Sequence, residues 1–314
     1  MNKITIIGSG SVGATIGYTL TVMGMASEIV MIDINNNKAL GEALDIRQGT
    51  PFCSPCSIYA GSYADSKDSD IVIITSGVAR KPGQSRLDLA QTNVNIIKSI
   101  IPEITRYAPD AVYLIVSNPV DILTYTFCKC SGLPESRIIG SGTILDTARL
   151  RARLAEYYSI NQLNVHAYVL GEHGDSLVRA VVAREYFEHP GEGLPAPSPR
   201  PISSCPRSIT RRLKSTSASP AAALSSAKGA TFYAVSVSVC HIVKCILTGI
   251  DTTMTVSTML NGEYGIDDVC LSLVNIVGHK GAESKILLPL TDAEQESLRK
   301  SAECLKEIIR QVEI

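Results

Sequence analysis

No apolar run in the 314 residues is long enough to cross a membrane as a helix, so the reading contains no membrane anchor. Neither charge is in excess. Lysine plus arginine number 29 against 30 acids, a net charge of −1, which gives no general affinity for nucleic acid or anionic lipid. The first residues lack the basic region, apolar core and cleavage site of a signal peptide. A disulfide framework is missing too: nine cysteines are scattered over a long chain, a pattern of free thiols in a reducing compartment. Cys53 and Cys56 have C-x-x-C spacing without a second ligand pair or a thioredoxin-like context. No metal site is expected. With 45% hydrophobic and 19% charged residues, the chain is globular, and a cytoplasmic location is expected.

What is present starts at the amino terminus. Residues 3–7 are a short β-branched run, read as a buried strand. Gly8-Ser9-Gly10-Ser11-Val12-Gly13 follows at once, and residues 14–23 read as an apolar-rich helix. In this G-x-G-x-x-G run, Gly8 allows a tight turn and Gly10 lets backbone approach a pyrophosphate. Gly13 lets helix and strand pack closely, and the helix start offers free N–H groups to phosphate. Residues 27–32 form a second strand ending in Asp33, twenty residues after Gly13. An acid there hydrogen-bonds both adenosine ribose hydroxyls and repels a 2′-phosphate, which selects NAD over NADP. Gly8, Gly10, Val12, Gly13 and Asp33 are therefore the expected cofactor residues.

Further strands are read at 57–60, 71–75 and 111–116, with helices at 38–45 and 87–107, the latter bent at Pro102. Residues 76–86 form a Gly- and Pro-containing loop with three cations, Arg80, Lys81 and Arg86. A basic loop at the carboxyl end of a parallel strand is where an anionic ligand is expected. Asn118, at the end of the 111–116 strand, has an amide suited to orienting a ligand; a plain strand-to-helix turn explains it equally well. Pro119 opens the next helix. A helix beginning near Thr143 carries Asp146 and Arg149 three apart on one face, while Arg151 points elsewhere. A surface ion pair accounts for the first two without function, but arginine is also the side chain best made to grip a carboxylate.

The apolar run 165–170 is read as a strand feeding Gly171-Glu172-His173-Gly174-Asp175. Histidine titrates near neutral pH and can take and give a proton in one cycle. From 184 to 227 the composition changes: seven of the fifteen prolines and nine serines fall there, and cations outnumber acids six to three. This reads as a loop or linker, not a nucleic-acid patch, since aromatics are not interleaved. A helix at 232–247, antiparallel strands at 253–259 and 269–277, a short edge at 284–288 and an amphipathic helix at 292–312 complete the chain. The expected fold class is α/β: a doubly wound parallel Rossmann sheet over residues 1–142, then a mixed α/β substrate domain over 143–314.

These residues together resemble the L-lactate/malate dehydrogenase family, over residues 3–182 and from 228 onward, with the bacterial L-lactate enzymes the closest group. The resemblance implies NAD-dependent interconversion of pyruvate and L-lactate in glycolysis and fermentation. It implies His173 as acid/base, Asp146 orienting it, Arg149 gripping the substrate carboxylate and Arg86 polarising the reacting carbonyl. Asn118 and Thr231 would line the pocket, Asn118 also touching the cofactor. Arg151 and His166 match an allosteric fructose 1,6-bisphosphate site in a homotetramer. Two departures stand out. Arg80 is malate-like and points to oxaloacetate as the alternative substrate, against lactate-like Glu172, Thr231, Asp88-Leu89 and Asn164–Tyr168. The 184–227 segment replaces a strand end, loop and helix that close the site, as a compensated reading-frame shift would. A weakened lid is expected, and a nucleotide-binding protein without catalysis is the remote alternative.

Overall fold

The computed structural model of the protein describes residues 2–79, 83, 85–174, 178–180 and 231–314. Arg80, Lys81 and the 184–227 segment lie outside them.

The chain runs β1 (Lys3–Ile7), α1 (Ser11–Val22), β2 (Glu28–Ile32), α2 (Asn36–Gly49), β3 (Ser57–Ala60) and β4 (Ile71–Ile74). It continues through α3 (Arg86–Tyr107), β5 (Val112–Ile115), α4 (Val120–Ser131), β6 (Ile138–Gly140) and α5 (Ile144–Tyr158). Then come β7 (Tyr168–Leu170), β8 (Val178–Ala180), α6 (Tyr233–Thr248), β9 (Thr252–Asn261), β10 (Asp267–Gly278), β11 (Gly281–Ile286) and α7 (Asp292–Gln311). The first six strands lie parallel in the order β3-β2-β1-β4-β5-β6. This is the doubly wound arrangement, whose order reverses between β1 and β4 and opens a ligand crevice at the carboxyl ends there.

Burial on both faces explains why these strands read as unbroken apolar runs. Ile4, Ile6, Ile71 and Ile73 point to one side, packing with Ile16 and Leu20 of α1 and Val239, Ile242 and Val243 of α6. Ile7, Val72 and Ile74 point to the other, packing with Val94 and Ile97 of α3, Ile122 and Leu123 of α4, and Leu298 and Leu305 of α7. Helix α6 therefore returns from the second half of the chain to cover the nucleotide sheet.

Helix α3 runs through Pro102 to Tyr107, as the sequence suggests. Three features differ from the sequence expectation. Ile138–Gly140, not read as a strand, forms β6. The expected 165–170 strand is confined to Tyr168–Leu170, because Gln162–Asn164 forms a 3-10 turn in which the Asn161 side chain accepts the Leu163 N–H. The antiparallel β9–β10–β11 meander does not form a sheet of its own. It extends the parallel sheet through Gly140 on β6 paired with Ser257 on β9, giving nine strands in all. A Cβ at Gly140 would collide with Thr124 Oγ1 of α4 and stand 2.9 Å from the Ser257 Cβ, so the small residue lets both α4 and β9 approach β6.

Candidate active site

At the nucleotide end, geometry is set by backbone. Gly8 has φ +102° and no room for a side chain: a Cβ there would stand 2.7 Å from the Ser76 nitrogen. A Cβ at Gly13 would collide with the Gly8 carbonyl oxygen, whereas one at Gly10 would meet nothing within 4 Å. The run is thus closed on its protein side and open on the side where a phosphate would sit. No side chain caps α1, and its first turn carries no acid, so the N–H groups after Gly10 remain available to an anion. Asp33 follows β2; one oxygen accepts the Ser9 N–H at 2.7 Å and the other the Asn35 N–H at 2.9 Å. The Ser9 hydroxyl is buried and has no partner among the described residues. Val12 is half-buried, its carbonyl 3.5 Å from the Ser236 hydroxyl of α6. Residues 8–13 and Asp33 fit a dinucleotide.

At the other end, His173 is held by side chains and strands from distant parts of the chain. Three consecutive N–H groups are each taken by a different element. Gly171 N–H donates to the Ser272 carbonyl of β10 at 2.9 Å, Glu172 N–H to the Ser301 hydroxyl of α7 at 2.9 Å, and His173 N–H to Asp121 Oδ2 of α4 at 2.8 Å. The Gly174 N–H then turns back to the Glu172 carbonyl at 3.0 Å. Backbone fixed this way leaves the imidazole little freedom beyond its own torsions.

The ring is fixed by α5. His173 Nδ1 lies 2.6 Å from Asp146 Oδ2, and Arg149 Nη1 donates to Asp146 Oδ1 at 3.0 Å. Two threonines anchor the helix. The Thr143 hydroxyl donates to the Val169 carbonyl of β7 at 2.5 Å, and the Thr147 hydroxyl accepts the Val169 N–H at 2.9 Å. Thr143 N–H also donates to the Ser272 hydroxyl at 3.1 Å. The strand leading to His173 and the helix bearing Asp146 are therefore locked at the point where they must meet. The Asp146–Arg149 pair is partly buried, with 13% and 20% side-chain exposure, and Asp146 serves both partners at once. A free surface ion pair does not describe it.

The electrostatics follow from burial and these contacts. Burial opposes the charged form of Asp146, but the hydrogen bond and charge of His173, then Arg149, hold its carboxyl below the usual range. Burial also works against imidazolium, yet the Asp146 carboxylate outweighs it and raises the His173 pKa above its ordinary 6.5, with Asp121 adding to the effect. Asp121 is fully buried, which pushes its carboxyl up to about 6 against the pull of neighbouring donors and His173. Its Oδ1 has no partner among the described residues.

Asp121 is the functional residue that sequence reading misses. Its only signal is an acid inside the otherwise apolar and uncharged start of α4, three residues after Asn118. The remaining expected residues fall as follows. Arg86 is the first residue of α3 and exposed. Asn118 precedes the cis Pro119 bond, and its exposed side chain makes no hydrogen bond among the described residues. Thr231 lies just before α6 with its hydroxyl buried and unpartnered among the described residues. Arg151 turns away from Asp146, as expected: its Nε donates to the Ala167 carbonyl at 3.0 Å and its guanidinium stacks 5.0 Å from the Tyr168 ring centre. His166, exposed, is the neighbour of Ala167.

The family model for the NAD binding domain of lactate/malate dehydrogenases matches residues 2–140, and that for their alpha/beta C-terminal domain matches residues 143–314. The chain belongs to the lactate/malate dehydrogenase family. It is 43% identical to an L-lactate dehydrogenase of Thermoanaerobacterium saccharolyticum, with all of both chains covered. With an L-lactate dehydrogenase of Clostridium perfringens it shares 45% identity over 97% of this chain and 95% of the relative. The fold matches the crystal structure of the minor L-lactate dehydrogenase of Enterococcus mundtii with a TM-score of 0.90 at 36% identity, covering 100% and 99% of the two chains. The cofactor of this family member is NAD. Among the described residues, no helix is long and apolar enough to cross a membrane.

Proposed function

We propose that the chain is an NAD-dependent L-lactate dehydrogenase that interconverts pyruvate and L-lactate, with His173 as the acid and base. The observation that carries this is the shared use of Asp146, one oxygen on His173 Nδ1 and the other on Arg149. When bound, the nicotinamide supplies or takes up the hydride. Asp146 accepts a hydrogen bond from Nδ1–H, so Nε2 is the atom left to exchange a proton with the substrate oxygen. The raised pKa favours the protonated form of His173, the form that neutralises the alkoxide as the keto group is reduced. Arg149 spends one N–H on Asp146 and keeps donors for the substrate carboxylate. Arg86 polarises the keto oxygen, and Asn118 and Thr231 complete the pocket with amide and hydroxyl.

Arg80 favours oxaloacetate by its second cation, whereas the relatives at 43–45% identity carry the L-lactate dehydrogenase name. Steady-state rates with NADH and each keto acid separate the two readings. Pyruvate is expected to be the better substrate by kcat/KM. A preference for oxaloacetate, reversed by Arg80→Gln, overturns this in favour of malate; NADH binding without turnover of either acid supports a purely binding role.

Regulation and assembly form part of the same proposal. Arg151 and His166 supply hydrogen-bond donors on adjoining stretches, suited to the two phosphates of fructose 1,6-bisphosphate acting between subunits of a homotetramer. Rates with and without the bisphosphate, together with sedimentation, test both. The nine scattered cysteines support the cytoplasm, a reducing compartment, as its location.

A further inference from the structure

Asn93 lies on α3, seven residues after Arg86 and so on the same helix face, and is 2% exposed. A buried primary amide requires partners, and those of Asn93 belong to the two loops at the carboxyl ends of β4 and β5. Its Oδ1 accepts the Val78 N–H at 2.9 Å, and its Nδ2 donates to the Val78 carbonyl at 3.2 Å and to the Asn118 carbonyl at 2.7 Å. A second tie runs parallel to it, the Ser117 hydroxyl donating to the Ser76 carbonyl at 2.6 Å. Gly77 passes directly over the amide: a Cβ there would stand 3.3 Å from Asn93 Oδ1.

Asn93 thus gives both amide hydrogens and its oxygen to main-chain groups that have no strand partner. Val78 lies near the start of the basic loop that follows β4. Asn118 is a pocket residue, and its carbonyl belongs to the cis bond that leads into α4, the helix carrying Asp121 and thereby the His173 turn. We propose that Asn93 is a positioning residue for hydride transfer, registering the helix that bears Arg86 against Asn118 and the β4 loop. The inference rests on the roles given above to Arg86 and Asn118. It concerns the alignment of the substrate, not the chemistry of any group that touches it.

The test uses the full-length enzyme with pyruvate and NADH. Asn93→Asp is nearly isosteric; it keeps the acceptor for Val78 N–H but sets an oxygen against the Val78 and Asn118 carbonyls. Asn93→Ala removes all three bonds. If Asn93 positions, kcat per titrated active site falls roughly 10- to 100-fold in Asn93→Asp, the scale of a misplacement of about 1 Å. NADH affinity, set by residues 8–13 and Asp33, stays within about twofold on the same geometric argument. The primary deuterium isotope effect with 4-deuterated NADH rises as hydride transfer becomes limiting. A purely structural role lowers the melting temperature and the fraction of active sites while leaving kcat per site and the isotope effect unchanged, and that outcome overturns the inference. If Asn93→Ala does not fold, the isosteric variant decides alone. Wild-type enzyme that turns over pyruvate while Asn93→Asp keeps its kcat and isotope effect sinks only this inference; no turnover by wild type sinks the function on which it rests.

Discussion

The two ends of the crevice are built in opposite ways. At the nucleotide end, the shape belongs to one continuous stretch: Gly8 to Gly13 leave β1, turn and enter α1, and what makes the site is the lack of side chains. At the catalytic end, His173 is held by α4, α5, α7, β7 and β10, elements spread over most of the chain. A phosphate is recognised by backbone N–H groups and a helix end, which local sequence can supply. A histidine that must donate a proton at one place needs both backbone and ring fixed, and only long-range packing supplies that. The first end should therefore respond to substitution through affinity and the second through rate.

The sharpest test of this contrast is His173→Asn. It should cut kcat for pyruvate reduction by roughly 10²- to 10⁴-fold while NADH binding, followed by fluorescence, is retained. A parallel loss of NADH affinity would erase the distinction between the ends. Asp146→Asn should come next. The carboxylate raises the His173 pKa, so the wild type keeps the proton above pH 6.5, and reduction falls only as the pH rises through that elevated value. With the carboxylate gone and burial still opposing charge, the falling limb of kcat/KM for reduction moves to lower pH. The rising limb for lactate oxidation moves the same way. A pH profile identical to wild type would remove Asp146 from its role.

Smaller effects are expected from single supports. Asp33→Ser gives up a charged acceptor at the cofactor end. Such bonds contribute about 1.5–3 kcal/mol, so KM for NADH should rise by roughly 10- to 150-fold, with kcat preserved and NADPH better tolerated. Asp121→Ala leaves the buried His173 N–H without its acceptor, a cost of about 1–3 kcal/mol. It should lower the melting temperature and reduce kcat by about tenfold through looser placement of the ring, with NADH affinity unchanged. Loss of NADH affinity without loss of kcat would place Asp121 at the wrong end.

The same contrast explains what was legible in the residues. Five of the six parallel strands, the glycine run and Asp33 were readable because apolar runs, turn glycines and a helix start are local signals; β6, only three residues long, gave too short an apolar run to be read. Asp146 and Arg149 were readable as a pair because they share one helix face. Their contact with His173 was implied only by family resemblance, since no spacing links positions 146 and 173. Asp121 and Asn93 went unnoticed for a related reason. One acid in a helix's first turn and one amide in mid-helix carry no motif, and their meaning lies in the main-chain groups they meet across the fold. The single nine-stranded sheet was hidden too. Alternation revealed β9 and β10 as a hairpin, but nothing local showed that Gly140 would let that hairpin dock onto β6.

That docking has a consequence for how the molecule comes apart. Strand β10 is hydrogen-bonded through Ser272 to the His173 turn and to the start of α5, and its neighbour β9 joins the nucleotide sheet at Gly140. Heat or denaturant acting on either half therefore strips backbone partners from the other. Residues 2–140 and 143–314, which match two separate family models, share one sheet through the β6–β9 pairing, so they should melt together, and a cut between them would expose a raw sheet edge on both pieces.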